Sequence, residues 1–160
     1  MQVHEITGLL PPSVTVLGAP NSDAALALVL PEEAPLVARA IDKRRREFAT
    51  GRALARAALA RLGAPAIAIP RAPDRSPIWP EGVAGSISHC DTRAVVAVAR
   101  REHGTVGVDV EHRDALKREL WASVFLPVEI ARLEAQGDQA RRGRMALVLF
   151  SAKESLYKAQ

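Results

Sequence analysis

Apolar residues occur along this chain in short groups of differing period. Ser13–Leu17 is rich in β-branched residues and Ala24–Leu30 is an unbroken apolar run, so two N-terminal strands are predicted. From about Glu32 to Leu62 strand alternation is absent. There Phe48, Leu54, Ala55, Ala58, Leu59 and Leu62 recur near a 3.6 period, which predicts a helix closed by Gly63, with Pro65 beyond it. Pro70, Pro73, Pro77 and Pro80, with Gly82 and Gly85, exclude a long helix between Ile69 and Gly85. Ala94–Ala99 and Val106–Val110 read as strands joined by a hairpin at His103-Gly104. Pro127–Gln136 and Arg144–Gln160 read as helices linked by polar Gly137–Gly143.

A weak internal repeat crosses this plan. Phe48–Arg56 (F-A-T-G-R-A-L-A-R) lines up with Phe150–Lys158 (F-S-A-K-E-S-L-Y-K), matching the Phe, the small residues, the Leu and the final cation. The repeat predicts two similar αβ halves about a pseudo-twofold axis. On this alignment the second half stops within its helix, so it is expected to be the shorter one.

Composition narrows the class. With 48% hydrophobic and 25% charged residues over 160 positions, one ordinary soluble globular domain is expected. A single cysteine, Cys90, forbids an intramolecular disulfide and fits a reducing, cytoplasmic compartment. No apolar run approaches the ~18–20 residues of a membrane span, and the first residues carry no basic leader, so neither membrane nor export is expected. The formal charge of +4 favours anionic partners.

Four local patterns could carry chemistry. In Asp109-Val110-Glu111 a period of 2 puts both carboxylates on one face, and such hard oxygen ligands suit Mg²⁺; alternatively the strand merely has a charged outer face. Glu154 and Lys158 lie four apart on a helix, spacing that allows a surface ion pair, while Glu154 could also add a third carboxylate beside phosphate-binding Lys153 and Lys158. Gly85–Cys90 (G-S-I-S-H-C) is a small-residue turn entering a strand, where hydroxyls, amides and His89 could hold phosphate oxygens. Adjacent Ser88 and His89 would face opposite ways in that strand, and Cys90 reads as a small buried residue rather than a catalytic thiol. The basic run Lys43–Arg46 continues into Arg52 and Arg56. Arg45, Arg52 and Arg56 fall within roughly 40° of one another, with Arg44 about 80° from Arg52, so they could converge on one anion or form a solvated face. Few aromatics and an acidic cluster argue against nucleic acid as the partner.

Taken in order, these blocks resemble the 4′-phosphopantetheinyl transferases of the enterobactin-synthase-component and Sfp type. Arg75–Cys90 (R-S-P-I-W-P-E-G-V-A-G-S-I-S-H-C) is similar to the family's first signature, Gly107–Glu111 (G-V-D-V-E) to its second and Phe150–Ala159 (F-S-A-K-E-S-L-Y-K-A) to its third. Arg44–Arg56 is also similar to this subtype. The resemblance implies an α+β fold of two αβ halves, about residues 1–103 and 104–160, within one domain. It implies transfer of the 4′-phosphopantetheine arm of coenzyme A to a serine of an apo acyl or peptidyl carrier protein, releasing 3′,5′-adenosine bisphosphate.

By the same resemblance Asp109, Glu111 and Glu154 would hold Mg²⁺, or Mn²⁺ on the same oxygens. Glu154 would be the general base, with Lys158 and Lys153 on the pyrophosphate. Arg44, Arg52, Arg75, Ser88 and His89 would hold the nucleotide end of coenzyme A, with Arg71 an alternative to Arg75. The subtype tilts towards siderophore or secondary metabolism. Members of the family usually continue several tens of residues past K-E-S-x-Y-K-A, so a truncated form, a fragment or half of a split assembly is expected, with an uncovered apolar face and sheet edge. The rival expectations are a weak relative that only binds coenzyme A or a carrier protein, and a basic nucleic-acid binder.

Overall fold

The computed structural model describes residues 1–160. Four strands form one antiparallel sheet: β1 (His4–Glu5), β2 (Val14–Pro20), β3 (Val83–His89) and β4 (Arg93–Arg100). Their spatial order is β1-β2-β4-β3, with Val16 opposite Ala97 and Ser86 also opposite Ala97. Helices α1 (Asp42–Arg61), α2 (Trp121–Val124), α3 (Pro127–Glu134) and α4 (Gln139–Lys158) complete the α+β architecture. All four strands come from residues before 101; the rest of the chain adds helices and extended segments.

The central strand β4 reads as a continuous apolar run because both of its faces are buried. On one face Leu17, Val96 and Val98 pack against Leu54, Ala55, Ala58 and Leu59 of α1. On the other, Val16, Val95 and Ala97 are covered by Val106 and Val108. A separate cluster of Trp121, Phe125, Leu133 and Ala146 ties α2, α3 and α4 together. Alanines facing the sheet let α1 sit close to it, and Gly51 admits Ile87, whose Cγ2 lies 3.0 Å from where a Cβ would stand.

Helix α1 ends as its sequence dictates. Gly63 takes φ +68°, and the amides of Ala64 and Gly63 return to the carbonyls of Leu59 (2.9 Å) and Ala60 (3.1 Å), closing the terminus. Its start is later than the periodicity predicts. Pro31 and Pro35 interrupt the region from Glu32, Ala34–Val37 is a 3₁₀ turn, and the α-helix begins only at Asp42.

Two predicted strands are absent. Ala24–Leu30 forms a 3₁₀ helix over Asp23–Leu28, started by the Ser22 hydroxyl accepting from the Ala24 amide and buried through Ala25 against α1. Both edges of β2 are already paired, so this run had no ladder to join there. Val106–Val110 is extended but makes no ladder, and no hairpin forms at His103-Gly104. The hairpin with β4 is excluded because β4 is paired on both sides, by β2 and β3, and the segment meets β3 through the Ser86 and Ser88 hydroxyls rather than through the β3 backbone. The hairpin that does form joins β3 and β4 through Cys90–Thr92, leaving Cys90 half-buried. The last helix starts earlier than predicted, at Gln139, capped by Asp138, whose carboxylate accepts from the Arg141 amide at 2.8 Å. No helix is long and apolar enough to cross a membrane.

Candidate functional site

Strand β3 carries candidate residues on both faces. Alternation directs Ile87 and His89 towards α1, and Ser86 and Ser88 towards the extended segment 106–111. The opposition of Ser88 and His89 expected from their adjacency is therefore present.

On the α1 side lies a cavity of about 340 Å³, lined by Arg44, Glu47, Arg52, Arg71, Arg75 and His89. Arg52 is buried, its guanidinium 4.6 Å above the Phe48 ring, and its Nε has no hydrogen-bond partner. Burial pulls its pKa down to about 10; Glu33 opposes this, and the charges of Arg44, Arg56 and Arg71 add to it. A cluster of cations with an unsatisfied buried donor is short of an anion. Arg75 reaches the cavity from a tight turn at φ +75°, the one non-glycine residue in the left-handed region.

Not every arginine of the basic run converges. Arg44, Arg52, Arg71 and Arg75 share the cavity, whereas Arg45 pairs with Asp42 at the surface. Arg56 is captured by Glu33, whose buried carboxylate takes two contacts of 2.7 Å from Arg56 Nη1 and accepts from the amides of Ile69 (3.1 Å) and Leu30 (3.2 Å). Of the four arginines of α1 expected to converge, Arg44 and Arg52 do so and Arg45 and Arg56 do not, and Arg71 and Arg75 join from a separate segment.

Glu47, unassigned in the sequence reading, is buried between Arg44 Nη1 (3.3 Å) and His89 Nδ1 (3.3 Å). Arg44 also contacts His89 Nε2. Burial and then the Arg44 charge hold the His89 pKa below its ordinary value, against the pull of Glu47.

Asp109 organises the other face. Its side chain is 2% exposed, and Oδ1 accepts from Lys158 Nζ (2.5 Å) and the Ser88 hydroxyl (2.9 Å), while Oδ2 accepts from Ser151 (2.8 Å). Ser88 in turn accepts from the Val110 amide (3.2 Å) and Lys158 (3.1 Å). Burial tends to raise the Asp109 pKa, but the bonds from Lys158, Ser151 and Ser88 outweigh it and leave the value lowered. Glu111 shifts the other way, raised by burial and then by the Asp109 charge, with Glu154 adding to it and Lys158 opposing.

Helix α4 reaches this site because Gly107 has no side chain: a Cβ there would collide with the Ser155 carbonyl. The surface pair that spacing allows between Glu154 and Lys158 does not form, since Lys158 turns to Asp109. Asp109 and Glu154 both act on Glu111, yet the three carboxylates do not close into a group ready to grip a metal ion. Lys153 is not brought to Asp109. It donates to Glu129 Oε2 (2.5 Å) and the Val124 carbonyl (3.2 Å) and lies 5.4 Å from the Phe125 ring centre.

The two faces communicate around the outer edge of β3. A second cavity of about 490 Å³, reaching Ser76, Gly85, Ser86, Tyr157 and Lys158, shares Arg75, Pro77 and Ile87 with the arginine cavity. Trp79 roofs Gly85, and its indole leaves no room for a Cβ there, the nearest atoms lying at 2.6 Å. The arrangement is one trough with arginines at one end and a lysine among carboxylates at the other. It is built to hold an elongated polyanion at two points.

Two family models match the chain: 4′-phosphopantetheinyl transferase N-terminal domain over residues 32–99, and 4′-phosphopantetheinyl transferase superfamily over residues 105–160. The 4′-phosphopantetheinyl transferase PptT of Mycobacterium tuberculosis is 42% identical over 135 residues, covering 81% of this chain and 57% of that protein. The 4′-phosphopantetheinyl transferase Svp of Streptomyces mobaraensis is 45% identical over 143 residues, covering 86% and 56%. Enterobactin synthase component D of Escherichia coli K12 is 42% identical over 88 residues, covering 53% and 40%. The chain spans about half the length of the curated relatives it matches.

Proposed function

The chain belongs to the 4′-phosphopantetheinyl transferase superfamily, and we propose on that footing that it transfers the phosphopantetheine arm of coenzyme A to a serine of an apo carrier protein. The observation that carries this reading is the pair of cavities, sharing Arg75, Pro77 and Ile87, that leads from the arginines to Lys158, which donates to Asp109. Coenzyme A carries a phosphate monoester at one end of its nucleotide and a pyrophosphate at the other. Arg44, Arg52, Arg75 and His89, with Arg71, bind the former, and Lys158 meets the latter.

The donor set fits a hard divalent cation. Burial and then the Asp109 charge, with Glu154 adding to them, raise the Glu111 pKa against Lys158, and the Lys158 ammonium on Asp109 is an internal stand-in for a cation. Asp109, Glu111 and Glu154 would hold Mg²⁺ or Mn²⁺, which would offset charge on the pyrophosphate. Glu154 takes the proton of the carrier serine, directly or through a water. The serine oxygen bonds the β-phosphorus as its link to the bridging oxygen breaks, and 3′,5′-adenosine bisphosphate leaves. Lys158 stabilises the charge on that leaving phosphate, as a mobile cationic donor can. Ser88 and Ser151 orient Asp109 from either side. Lys153, tied to Glu129, acts by anchoring α4.

The two-half organisation, residues 1–103 and 104–160, stands as part of the same proposal. Both segments of the internal repeat are helical, in α1 and α4, and the two family matches part between residues 99 and 105. A cytoplasmic site of action and service to siderophore assembly accompany it, the latter resting on the likeness to enterobactin synthase component D. Incubating the chain with coenzyme A, Mg²⁺ and an apo carrier protein should add one phosphopantetheine to the carrier's intact mass, and Glu154→Gln should abolish the gain. Absence of any gain, while a full-length relative succeeds alongside, would leave only a coenzyme A or carrier-protein binder.

A further inference from the structure

The contacts of His89 determine where its proton sits. Arg44 Nη1 contacts Nε2, and a guanidinium can only donate, so Nε2 is a bare acceptor. The ring proton is therefore on Nδ1, which points at Glu47 Oε2, 3.3 Å away. A neutral ring held this way offers a lone pair to the cavity. An incoming phosphate oxygen also offers only lone pairs, so the ring as it stands would repel it.

We propose that Glu47 is a positioning residue that makes phosphate binding in the arginine cavity a proton-coupled event. Glu47 holds the first proton on Nδ1, and a phosphate monoester draws Arg44 off Nε2, which then takes a second proton from solvent and donates it to the phosphate. The one bond formed is Nε2–H, its proton supplied by solvent, and the one added positive charge sits between two anions, Glu47 and the ligand. This inference rests on the cavity's reading as the phosphate end of the coenzyme A site.

The surroundings support such a switch. Groups facing the ring are Lys43, Arg44 and Glu47 of α1 and Lys158 of α4, while Arg52, Arg71 and Arg75 line the same cavity. Cations outnumber the single carboxylate, so without a ligand the neutral ring is favoured, in keeping with its lowered pKa. A dianion entering this cavity reverses that balance.

The test is calorimetric titration of the intact chain with 3′,5′-adenosine bisphosphate, near neutral pH, in buffers of differing ionisation enthalpy. The parallel probe is 5′-adenosine monophosphate, whose 5′-phosphate titrates alike but which lacks the 3′-phosphate. Net uptake of about 0.5–1 proton per bisphosphate, absent with the monophosphate, is expected for a histidine charged on binding. His89→Gln and Glu47→Gln should both lose it, and Glu47→Gln should also bind about tenfold or more weakly. Glu47→Asp, which keeps the carboxylate, should retain uptake, separating the charge from mere packing. Binding without proton uptake, or uptake undiminished in Glu47→Gln, overturns the proposal while leaving the coenzyme A reading intact. No binding of the bisphosphate at all removes both.

Discussion

The ion pair of Glu33 with Arg56 makes a sharp energetic prediction. Glu33 is fully buried and Arg56 nearly so, with 12% of its side chain exposed, and together they join residues 28–33, helix α1 and the Ile69 amide. Glu33→Gln keeps the shape and one acceptor but removes the charge, stranding a cation inside. Breaking one partner of a buried pair costs about 3–5 kcal/mol. At roughly 2–4 °C per kcal/mol for a chain of this size, the melting temperature should fall by on the order of 10 °C. Arg56→Met should also destabilise, because Glu33 then loses its counter-charge. The double variant should recover part of the loss, giving a coupling of at least about 2 kcal/mol in the cycle. Thermal and urea unfolding followed by far-ultraviolet circular dichroism provide the readout. A coupling below about 0.5 kcal/mol would mean that the pair is solvated in practice and that its burial has been misjudged.

Other consequences are equally direct. Arg52→Met should leave the ligand-free melting temperature unchanged or raised, since it removes a poorly satisfied buried cation, yet abolish the stabilisation that coenzyme A gives the parent chain; a variant that coenzyme A still stabilises fully would refute the role of Arg52. Asp109 has a lowered folded pKa, so its stabilisation is complete above the ordinary carboxylate range, near pH 4, and disappears as pH falls through the folded value. Asp109→Asn should therefore lower the urea midpoint at neutral pH and flatten its decline below about pH 4; an unchanged acid limb would count against the Lys158 and serine contacts. Gly107→Ala should drive α4 from the segment beside it, seen as faster proteolysis within residues 139–158, while Thr105→Ala, at an exposed neighbouring position, should not.

Much of this was legible without coordinates because the signals are local. A glycine with a left-handed φ at the end of α1, the continuous apolar wording of β4 and the alternation that separates Ser88 from His89 depend on neighbours within a turn or a pleat. The identities of the candidate residues, Asp109, Glu154, Lys158, Arg44, Arg52, Arg75 and His89, were likewise written in the chain, as was the order of their motifs. What residue order could not convey was competition for partners. Val106–Val110 has the composition of a strand, yet both edges of β4 were already taken, so its amides bond the Ser86 and Ser88 hydroxyls instead. Arg56 belongs to the basic run by helical angle but is removed from it by Glu33, and Lys153, beside Glu154 in sequence, is drawn to Glu129. Long charged side chains choose partners by distance, burial and rivalry across the whole molecule, quantities that exist only once the chain has folded. The buried Glu47 and the trough around β3 are therefore products of tertiary structure, while the motifs that resemble the family's signatures are legible in the sequence itself.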